Sequence, residues 1–294
     1  MPEFTLPARQ PFNFYATVHS HGWMQLAPLE WDEESRTLSL PHRMDSGKVV
    51  ALEVRGSPDG IIAQYSTRLN AAETRQLQYD LGWMFDLEKD LSPFYRAIAH
   101  EPRLAHVIPE GKGRILRSAT LWEDVVKTIT TTNTLWNATK AMCRKLCAAY
   151  GEPTADIPEQ HAFPTPQRIA AETPESLAEI TRMGYRAPFL HTLATRISSG
   201  ELDLESLKTS SLPTPELKKA LRGIKGIGDY AAANLLLMLG RADYLPIDSW
   251  ARTMVSKEWY HGEQVTDKQV AETFAHWGEW QGMAYWFWDW QKLD

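Results

Sequence analysis

The chain has 294 residues, 43% of them hydrophobic, and a formal charge of −6 from 31 Lys and Arg against 37 Asp and Glu. That length buries a sizeable core in one or two domains, and the composition excludes a disordered or fibrous chain. The acidic balance excludes a protein that grips nucleic acid by overall charge alone, though not one with a local basic footprint.

Residues 1–14 lack the basic head, apolar run and small-residue cleavage site of a secretory signal, so a cytoplasmic location is expected. Short β-branched and aromatic runs at 14–18, 38–40, 49–54 and 61–65 predict strands, separated by turn sequences at 20–22, 45–47 and 56–60. His19 and His21 then alternate along the first strand, and Trp23, Met24 and Leu26 form a further strand or the wall of a cleft. Together these predict a small antiparallel sheet.

The character changes at Ala71. Helices are predicted over 72–81 and 90–99, and over 121–150 with a break at Thr130-Thr131-Thr132-Asn133, which is poor helix-interior material. Cys143 and Cys147 lie four apart on that second helix. Helix geometry suits a disulfide between them poorly, so they read as reduced, half-buried thiols, too few for a four-cysteine zinc site or cluster. Cap-then-proline signals at Thr165-Pro166 and Thr173-Pro174 start further helices. Others follow at 188–198, 203–207, 215–221, 229–239, 248–259 and 267–274, with a very aromatic one at 282–290. The 229–239 helix holds the nearest approach to a membrane span, at half the length of about 18 residues such a span needs.

The fold class expected is therefore α+β, with a small N-terminal sheet domain and linking helices over 1–100 and a helical domain over 101–294. The His residues form no set with Asp, Glu or Cys at ligand spacing, so no metal is expected. No Gly-x-Gly-x-x-Gly follows a strand, so a dinucleotide site is unsupported, and no cofactor is expected.

The segment 221–240 carries the chemistry. A helix ends, Gly226-Ile227-Gly228 turns, and Asp229 is placed to cap an Ala- and Leu-rich helix. The glycines let a ligand approach the backbone, and the helix N-terminus offers unpaired N–H groups to a phosphate. Arg222 and Lys225 add local positive charge. The same pattern also suits a tight helix–helix turn with no ligand. Twenty residues beyond Gly228, Asp248 begins another helix within Pro246-Ile247-Asp248-Ser249-Trp250-Ala251-Arg252. It reads either as a helix cap or as a fixed anion that stabilises a sugar cation or activates water.

Turn, spacing and acid together resemble the helix–hairpin–helix and Gly/Pro…Asp signature of the HhH-GPD superfamily of DNA glycosylases. Three upstream stretches are similar to the 8-oxoguanine branch: Thr128 to Asn133 with the helix after it, His161 to Pro166, and Met183 to Pro188. The N-terminal sheet resembles the extra domain shared by that branch and the bacterial 3-methyladenine DNA glycosylase II branch. The resemblance implies base flipping from double-stranded DNA with a damaged base, Asp248 as the catalytic carboxylate that aids water attack and supports the sugar cation, and backbone binding by Lys225, Gly226, Ile227, Gly228 and Arg252. It also implies a duplex-inserting loop of Asn133, Thr134 and Leu135.

Bifunctional members carry an attacking Lys where this chain has Tyr230, and Lys225 lies five residues before it, across the hairpin. A phenol forms no Schiff base, so a monofunctional enzyme without efficient strand cleavage is expected. An electron-poor alkylated purine is a good leaving group and suits such a site. Trp23, Tyr15, Trp136, Tyr185 and Trp250 are candidate pocket walls, each with an ordinary core role as the competing reading. Arg186 is a candidate phosphate contact or a solvated surface residue. A monomer is expected. The alternatives are an 8-oxoguanine glycosylase with lyase activity and a non-catalytic hairpin module that only binds DNA.

Overall fold

Residues 3–65 build one antiparallel sheet in the computed structural model, which describes residues 1–290. Its strands are β1 (Glu3–Pro7), β2 (Glu30–Asp32), β3 (Thr37–Arg43), β4 (Val49–Ser57) and β5 (Gly60–Tyr65), in the order β1-β5-β4-β3-β2. Val50, Leu52 and Val54 are buried while Ala51, Glu53 and Arg55 are not, the period of two expected for a sheet with one covered face. Leu40 pairs with Leu52 and Val54 with Ala63, so the register lines up the buried row. β1 and β2 went unpredicted because they are short and half polar, and Pro7 is tolerated because β1 is an edge strand.

The predicted strand at Phe14–Val18 is a helix, α1. Asn13 accepts a hydrogen bond from the Ala16 amide (3.0 Å), and Phe14, Thr17 and Val18 share the buried face at helical spacing. A local cap thus overrides β-branched composition. His19 consequently ends α1, and His21 precedes a 3-10 turn at Gly22–Gln25 rather than sharing a strand with it.

The remaining helices are α2 (Ala71–Met84), α3 (Ser92–Ile98), α4 (Leu121–Thr131), α5 (Trp136–Tyr150), α6 (Pro166–Ala170), α7 (Pro174–Thr181), α8 (Ala187–Ser198), α9 (Thr214–Arg222), α10 (Asp229–Met238), α11 (Ser249–Trp259), α12 (Asp267–Phe274) and α13 (Gln281–Phe287). Cys143 and Cys147 of α5 are free and fully buried, more so than the sequence suggested, and burial pushes both thiols up. The aromatic tail helix stops at Phe287, so Trp288 and Trp290 lie beyond it. Among the described residues no helix is long and apolar enough to cross a membrane.

By packing, the chain forms two units: Met1–Lys89 with Arg114–Lys208, and Asp90–Gly113 with Thr209–Asp294. The first holds the sheet and α4–α8; the second holds α3 and α9–α13. Within the second, Arg103 pairs with Glu258 at 2.7 Å and Phe94 packs on Trp280 and Phe287, so the short insert is held to the C-terminal helices.

At the start of α2, Asn70 and Glu73 form a reciprocal capping box. Glu73 also accepts from Lys48 Nζ (2.8 Å) and Ser46 Oγ (2.9 Å), and these bonds, Lys48 first, hold its carboxyl down at about 2. A depressed carboxyl contributes stability that is present above its unfolded value and lost as pH falls through the folded one. Urea melts between pH 5 and pH 2 are therefore expected to show Glu73→Gln less stable than the parent at pH 5, with the difference shrinking towards pH 2. A difference independent of pH would assign Glu73 to packing alone.

Candidate active site

The hairpin predicted at 226–228 joins α9 to α10. Leu217, Leu221, Ile224 and Ile227 are all at most 5% exposed, so the turn is pinned from beneath by its own apolar residues. Gly226 takes φ +95°, the left-handed region that favours glycine. Gly228, not Asp229, is the N-cap of α10, and no side chain caps that terminus. Asp229 instead sits in the first turn and pairs with Lys218 (3.1 Å) and Arg222 (3.7 Å). The first turn of α10 therefore has no side-chain cap, the arrangement that can receive an anion. Lys225 is exposed beside it.

Asp248 follows Leu245 and Pro246, both buried, and is half-buried itself. It is the N-cap of α11: one carboxylate oxygen accepts from the Ala251 amide at 2.8 Å. Both readings of this residue are thus compatible, because capping is what fixes the carboxylate's orientation. Arg252, one turn into α11, pairs with Asp267 at 2.7 Å. Trp250 is 48% exposed, its ring edge-on to Trp290 at 5.4 Å.

Two phenols feel the Asp248 charge. Tyr230, in the first turn of α10, is pushed up by burial and then by Asp248, with Asn234 pulling the other way. Tyr285 of α13 is pushed well above the usual phenol range by burial, then by Asp248 and by Tyr230. Tyr285 packs against Phe274 and Trp290 (both 5.6 Å between ring centroids) and is 5% exposed. The second unit thus brings together one anchored anion and two phenols that stay protonated. Such phenols donate hydrogen bonds but do not act as nucleophiles. Sequence reasoning found Tyr230 and Asp248 and missed Tyr285, which looked like one more aromatic in the tail.

The first unit holds the other predicted residues. α4 ends because Thr130, Thr131 and Thr132 each turn a hydroxyl onto the carbonyl three residues back, at 2.6, 2.7 and 2.8 Å. The helix runs to Thr131, slightly further than predicted, and the loop is 132–135. Asn133 takes φ +46°, and Leu135, the N-cap of α5, is 82% exposed. Arg186 is buried, not solvated, and donates to the carbonyls of Thr132 and Asn133 while lying 4.5 Å from the Tyr185 ring centroid. Its two terminal nitrogens are therefore engaged within the protein, while Nε is buried without a partner. Tyr185 is half exposed. Tyr15 stacks on His19 at 3.9 Å and donates to Glu33; Trp23 is buried with its indole N–H on Asp124 at 2.8 Å; Trp136 donates to Gln25 at 2.8 Å. Among the described residues no His, Cys, Asp and Glu gather as metal ligands.

Residues 126–279 match the family model described as HhH-GPD superfamily base excision DNA repair protein. The chain is 27% identical to the DNA-3-methyladenine glycosylase of Bacillus subtilis over 71% of its own length and 69% of that protein's. Its fold is similar to that of a 3-methyladenine DNA glycosylase from Archaeoglobus fulgidus, with a TM-score of 0.75, 19% identity, and 98% and 97% of the two chains covered. It is also similar to that of the Clostridium acetobutylicum 8-oxoguanine glycosylase/lyase, with a TM-score of 0.69, 21% identity, and 91% and 92% covered.

Proposed function

The chain belongs to the HhH-GPD superfamily of base excision DNA repair proteins, with relatives in both the 3-methyladenine and 8-oxoguanine branches, and from that premise we propose that it is a monofunctional DNA glycosylase. It hydrolyses the N-glycosidic bond of damaged purines in duplex DNA, alkylated purines foremost. The observation that carries this reading is the Asp248 carboxylate fixed by its cap on α11, with a phenol rather than an amine at position 230.

The target nucleotide must leave the base stack before its glycosidic bond is reachable. As the bond breaks, positive charge develops on the sugar, and the Asp248 carboxylate stabilises it and orients the water that adds to it. Because α11 already fixes the carboxylate, little reorganisation accompanies the step. A purine alkylated on the ring leaves as a neutral base, so it needs no strong general acid. The hairpin N–H groups and Lys225 hold a backbone phosphate, and the 132–135 loop enters the duplex. Tyr185 and Trp250, each about half exposed, offer aromatic faces for stacking. The protein acts as a cytoplasmic monomer on double-stranded DNA, and the B. subtilis relative's name favours 3-methyladenine as a substrate.

The test is a panel of duplexes carrying 3-methyladenine, 7-methylguanine, 1,N6-ethenoadenine, hypoxanthine or 8-oxoguanine, resolved before and after alkali. Cleavage of the methylated-purine strands only after alkali is expected. Cleavage without alkali on 8-oxoguanine would favour the bifunctional reading, and binding with no alkali-labile product would reduce the protein to a DNA-binding module.

A further inference from the structure

The 132–135 loop is braced from an unexpected quarter. The 3-10 turn at Gly22–Gln25 touches both helices that flank the loop. On α4, Trp23 Nε1 donates to Asp124 Oδ1 at 2.8 Å, a buried bond that the Ser118 amide shares at 2.9 Å. On α5, Trp136 Nε1 donates to Gln25 Oε1 at 2.8 Å, and the Trp136 indole lies directly over Gly22. A Cβ added at Gly22 would stand 2.4 Å from Trp136 Cζ2 and 2.6 Å from Cη2, so only glycine admits the ring. The turn itself is anchored on both sides. Leu26 is fully buried, and His21, which burial lowers to about 4 and so keeps neutral, bonds the Leu116 carbonyl through Nε2 at 2.6 Å.

Trp136 is the residue immediately after the exposed Leu135. Fixing its indole fixes the C-terminal root of the loop, while Arg186 fixes the carbonyls at the other root. We propose that Trp136, held by Gly22 and Gln25, is a positioning residue that preorganises the duplex-inserting loop and does not line the base pocket. The inference rests on the glycosylase reading above. Its physical basis is entropic: a loop that enters a base stack binds best when it is ordered beforehand, because ordering it at the moment of binding costs affinity.

The experiment compares binding to an intact duplex with binding to one carrying a tetrahydrofuran abasic analogue, which has no base to contact. A 2-aminopurine opposite the analogue reports loop entry. Wild-type preference for the abasic duplex tests the functional reading itself; equal binding of both duplexes would defeat that reading before any variant is made. Given the preference, Trp136→Ala is expected to reduce it about tenfold and to lower the 2-aminopurine response, with intact-duplex affinity unchanged. Gln25→Ala, at an exposed side chain that leaves the core alone, is expected to reduce it about fivefold. Should Trp136→Ala fail to fold, Gln25→Ala decides alone. Gly22→Ala is expected to be impaired, and Gly22→Ala with Trp136→Phe to fall no further than Trp136→Phe alone, because Phe has no atoms where Cζ2 and Cη2 stand but also lacks the N–H that Gln25 holds. Variants with undiminished preference, or a double variant whose losses simply add, would overturn the brace. A loss confined to base-bearing substrates would return Trp136 to the pocket wall.

Discussion

Asp248→Asn is expected to lower the single-turnover excision rate on a methylated-purine duplex by roughly a hundred- to a thousandfold, the usual cost of losing one preorganised electrostatic partner of a transition state. The substitution is well chosen by the geometry. Asp248 caps α11 through the Ala251 amide, and Asn caps as well as Asp does. Stability should therefore change little, and affinity for an abasic-analogue duplex should stay within about threefold. Asp248→Ala removes charge and cap together, so it should match the activity loss and add a stability loss of about 1 kcal/mol. A second readout follows from the phenols. With the anion gone, Tyr230 loses one of the two causes that raise it, and its ultraviolet titration should move down. Retained excision in Asp248→Asn would remove the carboxylate from the mechanism and with it the proposed function.

What was legible in the sequence is what local geometry dictates. The glycine turn at 226–228 and the Asp248 cap each depend on a few consecutive residues, so the hairpin and its acid were readable as a pattern, although the cap expected of Asp229 is absent. So were β3, β4 and β5, whose β-branched and apolar runs lie between turn sequences. The misreadings fall where partners are remote or signals compete. Phe14–Val18 has strand composition but a helix cap in Asn13. β1 depends on β5 for its identity, since five residues ending in Pro carry no signal of their own. The assignment of 90–113 to the C-terminal helices depends on pairs such as Arg103 with Glu258 that no local pattern announces.

The Trp residues divide on the same principle. Trp259, Trp288 and Trp290 pack around Phe274 and Tyr285, and so build the wall behind a phenol that Asp248 influences. Their role is to exclude water from Tyr285, and burial is the first cause of its raised titration. A count of aromatics announces such a wall without locating it. Charge behaves alike: a net −6 argues against a nucleic-acid partner only until the hairpin amides and Lys225 are found on one end of one helix pair.

Tyr230→Lys is expected to convert the enzyme's chemistry, and it tests the monofunctional reading most sharply. In the parent, the residue at the start of α10 that feels Asp248 is a phenol kept protonated by burial and by that carboxylate. It offers a hydrogen bond and no amine, so nothing there forms an imine with the sugar. Borohydride added to the parent reaction should trap no protein–DNA adduct, and strand cleavage should require alkali. A lysine at the same position would place an amine in the same electrostatic field. Attack of its free base at the sugar carbon as the damaged base leaves, followed by ring opening, forms a Schiff base, which borohydride reduces to a stable covalent adduct visible by gel shift. The neighbouring carboxylate cuts both ways, since it favours the protonated, unreactive ammonium. Trapping should accordingly rise with pH, as deprotonation supplies the nucleophile. Tyr230→Lys combined with Asp248→Asn separates the two effects: the amine loses its stabilising anion and deprotonates more readily, while the sugar cation loses its support and forms more slowly. An adduct trapped by the parent itself would place a lysine already within reach of the sugar, with Lys225 of the hairpin the first to replace, and would reassign the protein to the bifunctional class.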